Sequence, residues 1–355
     1  MTPNPFLGVI LHAIGGFAAG SFYIPFKSVR RWSWESYWLV GGVFSWIIAP
    51  WTAAVLIVPN LRQVLTGAPL DSLMWTYLFG VLWGIGGLTF GLSMRYLGLS
   101  LGYALALGFC AAFGTIVPPA FSGEIVKLAR AISGQVTLGG VLVCLLGIAI
   151  CGMAGMRKEK ELPAHEKTAT IREFNFKTGL WVAIFAGLMS ACMAFAFEAG
   201  KPIGVLAIER GTPHLWQNLP ILVVVLLGGF TTNFIWCVYL NFKNRSLRDY
   251  VDGGSSTALG NLSGLAWNYF FAASAGITWY LQFFFFGMGK TKMGRYDFSS
   301  WTIHMAFIIV FSNLWGIWFH EWRGVGRPTM ARVWTGVVVL VLSTIVIGLG
   351  NYLAG

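Results

Sequence analysis

Charge is what this sequence has least of. Only 10% of its 355 residues are Asp, Glu, Lys or Arg, where a soluble domain carries roughly a quarter. These few charges gather between long uncharged runs, which leaves no room for a soluble catalytic domain; the most polar stretch, 157–177, is loop-sized. Cysteine is scarce as well. Cys110, Cys144, Cys151, Cys192 and Cys237 stand singly in apolar runs with no C-x-x-C pair, which argues for small buried side chains and against a disulfide framework or a metal site. Neither H-E-x-x-H nor a phosphate-binding loop is present. Gly98-Leu-Ser-Leu-Gly102 fits G-x-S-x-G, but the hydrolase elbow needs a strand-to-helix turn, and here the pattern opens an apolar helix. No Lys or Arg precedes Lys27, so the first apolar run lacks the basic region of a secretory signal and reads as a retained helix.

What is present is apolar length. Residues are 56% hydrophobic, and ten runs of at least 20 residues carry no charge: 1–26, 36–61, 72–94, 96–123, 131–156, 178–197, 211–242, 253–289, 298–320 and 333–355. A bilayer core needs roughly 20 such residues per helix. The predicted helices are 6–26, 36–58, 73–94, 98–121, 136–156, 178–199, 215–240, 263–288, 299–320 and 333–354. The expected class is an all-α integral membrane protein of about ten transmembrane helices, its 17 Trp and 28 Phe including interfacial belts. The net charge of +11 follows from topology rather than from a nucleic-acid partner. Alternate loops hold 16 and 8 of the Lys and Arg residues, and the positive-inside rule puts the richer set in the cytoplasm. An even helix count then places both termini in the periplasm.

The segment 157–177 reads as a cytoplasmic linker between a first repeat, 1–156, and a second, 178–355. Five helices in each half give the halves opposite orientations, the inverted-repeat plan of many secondary transporters. Helices 3 and 8 end alike, in Phe-Gly-Leu-Ser-Met-Arg-Tyr and Phe-Gly-Met-Gly-Lys-Thr-Lys-Met-Gly-Arg-Tyr. Gly16-x3-Gly20, Gly80-x3-Gly84 and Gly87-x3-Gly91 are expected where helices approach closely or hinge. Pro25, Pro50 and Pro118-Pro119 are expected to kink helix ends.

Polar groups inside helices are costly and usually face a cavity. They are His12, Glu198, Asn233, Asn268, Gln282, His304 and Asn313, with Glu35 and Asp297 near helix starts. A sugar carrier needs such groups plus aromatic faces. Trp279, Tyr280 and Gln282 supply both on one helix, and Trp46 and Trp83 add rings on others; any one ring also reads as packing. Asp297 and His304 are seven residues apart, two turns on one helical face, about 10 Å along the axis. The pair reads as a proton path, or separately as an N-terminal helix acid beside Arg295 and a buried neutral imidazole. Glu198 reads as an ion pair with Lys201 or as a coupling site, and Glu35 as a gate or surface pair with Lys27 or Arg31.

Four stretches resemble the L-rhamnose–proton symporter family of the drug/metabolite transporter superfamily. They are Phe22-Tyr-Ile-Pro-Phe-Lys-Ser-Val-Arg-Arg-Trp-Ser-Trp-Glu35, Trp83-Gly-Ile-Gly through Gly91-Leu-Ser-Met-Arg-Tyr-Leu-Gly-Leu-Ser-Leu-Gly102, Trp279-Tyr-Leu-Gln-Phe-Phe-Phe-Phe286, and Tyr296-Asp-Phe-Ser-Ser-Trp301 with His304-Met305. The resemblance spans the chain. It implies two inverted five-helix repeats and proton-coupled uptake of L-rhamnose or a related deoxysugar across a bacterial inner membrane, with no cofactor beyond the coupling proton. Glu198 and Arg295 stand where the family pattern is expected to be neutral, so sodium coupling, uncoupled transport or another small metabolite stay open, as does a homodimer. A membrane-embedded transferase is disfavoured because no loop clusters acids with His. The candidate solute ligands are Gln282, Trp279, Tyr280, His304, His12, Trp83 and Asn313; the candidate proton carriers are Asp297, Glu35 and Glu198.

One expectation is testable at this level. A C-terminal phosphatase fusion, active only outside the cytoplasm, should be active, and a C-terminal fluorescent reporter that folds only in the cytoplasm should be dark; the reverse pattern would contradict the placement of the termini.

Overall fold

The computed structural model describes residues 3–97, 99–121, 123–161, 175–253 and 257–354. Among them are ten helices long and apolar enough to cross a membrane: α1 Pro5–Phe26, α2 Trp34–Ile57, α3 Leu70–Met94, α4 Ala104–Phe121, α5 Ile132–Glu161, α6 Phe176–Glu209, α7 His214–Asn244, α8 Leu259–Lys290, α9 Gly294–Trp318 and α10 Arg327–Tyr352. The chain is a multi-pass membrane protein, and both ends of the described chain lie on one face, called here the terminal face.

Several ends differ from expectation for local reasons. Residues 157–161, expected in the linker, continue α5, because Glu161 accepts bonds from Gly326 N and Thr329 Oγ1, both at 2.8 Å; the carboxylate thus caps the start of α10. Residues 162–174 of that linker, and Gly98 of the Gly98–Gly102 pattern, lie outside the described residues. Helix α6 pauses at Gly200 and resumes over Lys201–Glu209, since Pro202 is tolerated in a first turn. Within α2, Val43–Ile48 is a π segment directly before Pro50, whose missing N–H breaks the regular ladder.

The bundle is held by exchanged pairings. Helix α6 lies against α3 and α4, α1 against α8 and α9, α7 against α3 and α2, and α5 against α10. Small residues set the spacing, as expected where lipid offers no hydrophobic drive between helices. A Cβ on Gly16 would lie 2.4 Å from Phe307 Cβ, and one on Gly80 2.1 Å from the Val225 carbonyl oxygen. Gly87-x3-Gly91 is a correction: neither glycine has a neighbour within 4 Å of a built Cβ, because that turn of α3 faces open space. Buried hydroxyls pair across helices, Thr115 with Thr302 at 2.6 Å.

These packings make a differential prediction. Gly80→Ala should destabilise the purified protein by about 1–3 kcal/mol through overpacking, while Gly87→Ala should be neutral or slightly stabilising through helix propensity. Thermal unfolding in detergent checks this, and equal effects at the two sites would contradict the close α3–α7 approach.

Candidate transport site

Helix α8 ends on the terminal face at Lys290, whose side chain is only 8% exposed. A lysine there is affordable only if paired. Its ammonium donates to Glu198 Oε1 of α6 at 3.0 Å and meets Asp297 Oδ2 at 2.7 Å; Glu198 also pairs with Lys201. Lys290 is the buried member; the side chains of Glu198 and Asp297 are 30% and 26% accessible. Glu198 and Asp297 line a cavity of about 740 Å³, together with Phe79, Pro118, Phe195 and Arg295. Sequence reasoning named both acids but passed over Lys290 as a loop charge; its position closing the uncharged run 253–289 was the available signal.

Asp297 stands in the 3-10 opening of α9, ahead of the α-helical stretch that carries His304. Residues Gly294–Ser299 form a 3-10 turn with Gly294 at φ +73° and a non-helical Tyr296 (φ −105°, ψ 42°), and the α-helix starts at Ser300. Regular α-helical spacing therefore does not hold over Asp297–Ser299, and Asp297 meets Lys290. Arg295 is exposed on the same cavity.

From Lys290 inward, α8 carries one stripe of polar and aromatic side chains. Positions 279, 282, 283, 286 and 290 are i, i+3, i+4, i+7 and i+11 and share a face. Phe286 contacts His12 of α1 (ring centroids 5.3 Å), His304 of α9 (5.2 Å), Trp301 (5.5 Å) and Phe197 (5.0 Å). The two imidazoles are 6.3 Å apart, both fully buried, and no ring nitrogen has a hydrogen-bond partner of good geometry. Gly289 makes room for His12, since a Cβ there would lie 2.8 Å from the ring. Gln282, 5% exposed, follows one turn deeper. Next come Phe283, 6.4 Å from His304, and Trp279, which meets Trp83 at 5.4 Å and Trp46 at 5.4 Å.

The remaining expected ligands lie elsewhere. Tyr280 is off the stripe, beside Phe284 (6.0 Å) on the side of α8 where Gly287 receives Asn218 of α7; one residue of helical rotation separates it from Trp279. Asn313 lines a second cavity of about 480 Å³ with Tyr23, Phe90, Glu321 and Trp322, and its amide donates to Ile309 O of its own helix at 2.9 Å. The two cavities share no lining residue. Along α9, Phe298 lines the first and Ile309 the second, so His304 falls between them. Glu35 sits at the face opposite the termini, buried, accepting from Ser246 Oγ (2.7 Å) and Asn244 Nδ2 (3.0 Å). The expected pair with Lys27 or Arg31 is replaced by neutral donors from the α7 end, and Lys27 instead meets Glu321 at 3.2 Å. Asn233 and Asn268 hold structure, through Trp38 Nε1 (3.1 Å) and the Arg30 backbone (2.9 and 3.0 Å). Among the described residues no group of three or more His, Cys, Asp or Glu side chains is placed to hold a metal ion.

Two cavities thus lie on either side of a layer of rings and imidazoles. The family model described as L-rhamnose-proton symport protein matches residues 1–353. Curated relatives named L-rhamnose-proton symporter, from Yersinia pestis (strain Pestoides F) and Yersinia pseudotuberculosis serotype O:3, are 37% identical over 345 residues, covering 97% of each chain. One of the same name from Citrobacter koseri is 36% identical over the same length. The chain belongs to the L-rhamnose-proton symporter family.

Proposed function

We propose that this chain carries out proton-coupled uptake of L-rhamnose, or a closely related deoxysugar, across a bacterial inner membrane. The observation that carries the mechanism is the Glu198–Lys290–Asp297 cluster at the floor of the larger cavity, directly above the His12–His304 layer. With both termini in the periplasm, this cavity is the outward one. The exchanged pairings support two inverted five-helix repeats, 1–156 and 178–355: α3–α6 answers α8–α1, α4–α6 answers α9–α1, and α3–α7 answers α8–α2.

Coupling needs a group whose protonation alters one open state more than the other. Lys290 ties the end of α8 to α6 through Glu198 and to the α8–α9 turn through Asp297. A proton on Asp297 removes one arm of that tie and leaves Lys290 balanced by Glu198. Asp297 is the first carrier, since it stands on the short turn that can move; Glu198 is the residual counter-ion, and Glu35 the carboxylate of the cytoplasmic side. The sugar binds on the α8 stripe, with Gln282, His12 and His304 meeting hydroxyls and Trp83 and Trp279 covering its apolar face. Tyr280 contributes through packing, and Asn313 lines the exit toward the cytoplasm. No catalytic residue or bound cofactor takes part; the co-substrate is the proton.

In proteoliposomes, labelled L-rhamnose should accumulate when an inward proton gradient is imposed and should decline as external pH rises to the internal value. Asp297→Asn should lose accumulation but keep gradient-free exchange. Wild-type accumulation in this variant removes Asp297 from coupling, and accumulation that follows a sodium gradient instead reassigns the ion. Gln282→Ala should raise the apparent KM for L-rhamnose by up to roughly tenfold, the size of one lost hydrogen bond; unchanged KM and rate at normal expression would exclude it as a ligand.

A further inference from the structure

We propose that Met94 of α3 seals the smaller cavity when the carrier turns over, as the uncharged counterpart of Lys290, by closing on Tyr23 of α1 and Ser312 of α9. The inference rests on the two-repeat reading above and adds to it the residues of the second gate. The spacing that carries Gly80 of α3 onto Gly276 of α8 also carries Trp83 onto Trp279, Phe90 onto Phe286 and Gly91 onto Gly287. The contacts agree with this register. A Cβ on Gly80 would lie 2.1 Å from the Val225 carbonyl oxygen of α7, and one on Gly276 2.2 Å from the Gly41 carbonyl oxygen of α2. A Cβ on Gly16 of α1 would lie 2.4 Å from Phe307 Cβ of α9, and one on Gly187 of α6 2.5 Å from Phe109 Cβ of α4. Trp83 and Trp279, equivalent in this register, meet each other at 5.4 Å, as residues beside a two-fold axis do.

The same register pairs the smaller cavity with a closed region at the terminal face. Around Lys290 a void of about 10 Å³ remains, with Gly114, Pro118, Ala194 and Phe286 among its walls. The counterparts of Gly114, Pro118, Ala194, Phe286 and Lys290 are Ser312, Gly316, Tyr23, Phe90 and Met94, and all of these line the cavity of about 480 Å³. One place in the fold is thus shut at the end of α8 and open at the end of α3. Exchange between two such arrangements is how inverted repeats expose one side at a time. At the shut end α8 faces α6 and α4 across the void, with Lys290 bonded to Glu198 and Phe286 meeting Phe197 at 5.0 Å. At the open end α3 has to close on α1 and α9, where Tyr23 and Ser312 stand. The chemistry of the two closures differs. Met94 takes the place of Lys290, and the counterpart of Glu198 is Lys27, which is spent on Glu321 at 3.2 Å and on the Phe319 ring at 4.5 Å. A flexible thioether fills an irregular apolar seat and needs no counter-charge.

The test is a cross-link that needs no sugar. Cys151, which lines the cavity, is replaced by serine, and the pair Met94→Cys with Ser312→Cys is oxidised in membranes with copper phenanthroline. A disulfide needs Cα atoms within about 7 Å, so its formation reports the approach of α3 to α9. It should form, abolish L-rhamnose exchange and restore it on reduction; Met94→Cys with Tyr23→Cys should behave alike. Two thiols that each react with maleimide yet form no disulfide in either pair overturn the proposal, as does a disulfide that leaves exchange intact. Independently, Met94→Ala should leave the seat part-filled and lower proton-driven accumulation by about tenfold with exchange retained, and Met94→Leu, of similar volume, should accumulate as wild type does. Wild-type accumulation in Met94→Ala also overturns it. A wild type that moves no L-rhamnose sinks the uptake reading alone, because disulfide formation is scored on the protein itself and still decides the gate.

Discussion

A lysine at the buried end of a transmembrane helix has to be answered by acids, and in this protein it is answered by two. Lys290 draws Glu198 from α6 and Asp297 from the α8–α9 turn into one cluster, which fixes where three otherwise separate elements meet. That requirement explains the broken entry to α9: a regular helix from Gly294 would point Asp297 along the α9 face, whereas the 3-10 turn with Gly294 in the left-handed region returns it to Lys290. It also explains why the charge lies on a cavity floor instead of in lipid. Each carboxylate keeps one exposed edge, with side chains 30% and 26% accessible, through which a proton can arrive.

Below the cluster the polar groups change character. His12 and His304 carry no charge partner and are sealed by Phe286, Trp301 and Phe197. The gradation from ions to imidazoles to amide to indoles runs down one face of α8 over about 16 Å. In the proposed mechanism one helix bears both the proton-linked end and the aromatic platform, so displacement of its charged end on loosening of the cluster would also move Gln282 and Trp279 relative to α1 and α9. The opposite face has a different closure, with Lys27 on Glu321, Trp315 Nε1 donating to Ser21 Oγ at 2.8 Å and Glu35 held by hydroxyl and amide donors. The two ends thus close differently, with a buried lysine between two acids on one side and a Lys27–Glu321 pair beside neutral donors to Glu35 on the other.

How far this was legible in the sequence follows from the range of each interaction. Spans are set by apolar length over some 20 consecutive residues, and all ten were readable. Ends depend on single residues: Gly200 and Pro202 extended α6, and Glu161 lengthened α5 by capping α10 from afar. The Asp297–His304 arithmetic assumed α-helix throughout, whereas Asp297–Ser299 belong to a 3-10 turn and the α-helix starts at Ser300. Glu35 could not be paired correctly, because Ser246 lies 211 residues away and nothing local marks it as closer than Lys27. Gln282, Trp279 and His304 were legible as buried groups because an amide, an indole or an imidazole in an apolar helix stands out by composition alone. Tyr280 and Asn313 stood out equally but lie off the face shared by Trp279 and Gln282, since composition does not say which side of a helix faces which cavity. Lys290 was hidden for the converse reason: at a helix end, a buried lysine and a loop lysine look the same until the partner acids converge.

The glycines show how the same ambiguity resolves into function. Gly80 and Gly87 sit in one helix with the same spacing motif, yet the first touches the Val225 backbone and the second touches nothing. Gly289 and Gly276, with no motif to announce them, are close-contact positions, the former admitting the His12 ring and the latter bringing α8 onto α2. In each case the missing side chain matters for what occupies its place. At Gly289 that is an imidazole, which would otherwise be displaced from Phe286 and opened to the charged cluster above. At Gly276 it is the backbone of α2, whose contact sets Trp46 against Trp279. Helix α8 therefore controls both ends of the stripe by the residues it omits as much as by those it presents, and its two glycine contacts fix the distance between the ionic layer and the aromatic platform.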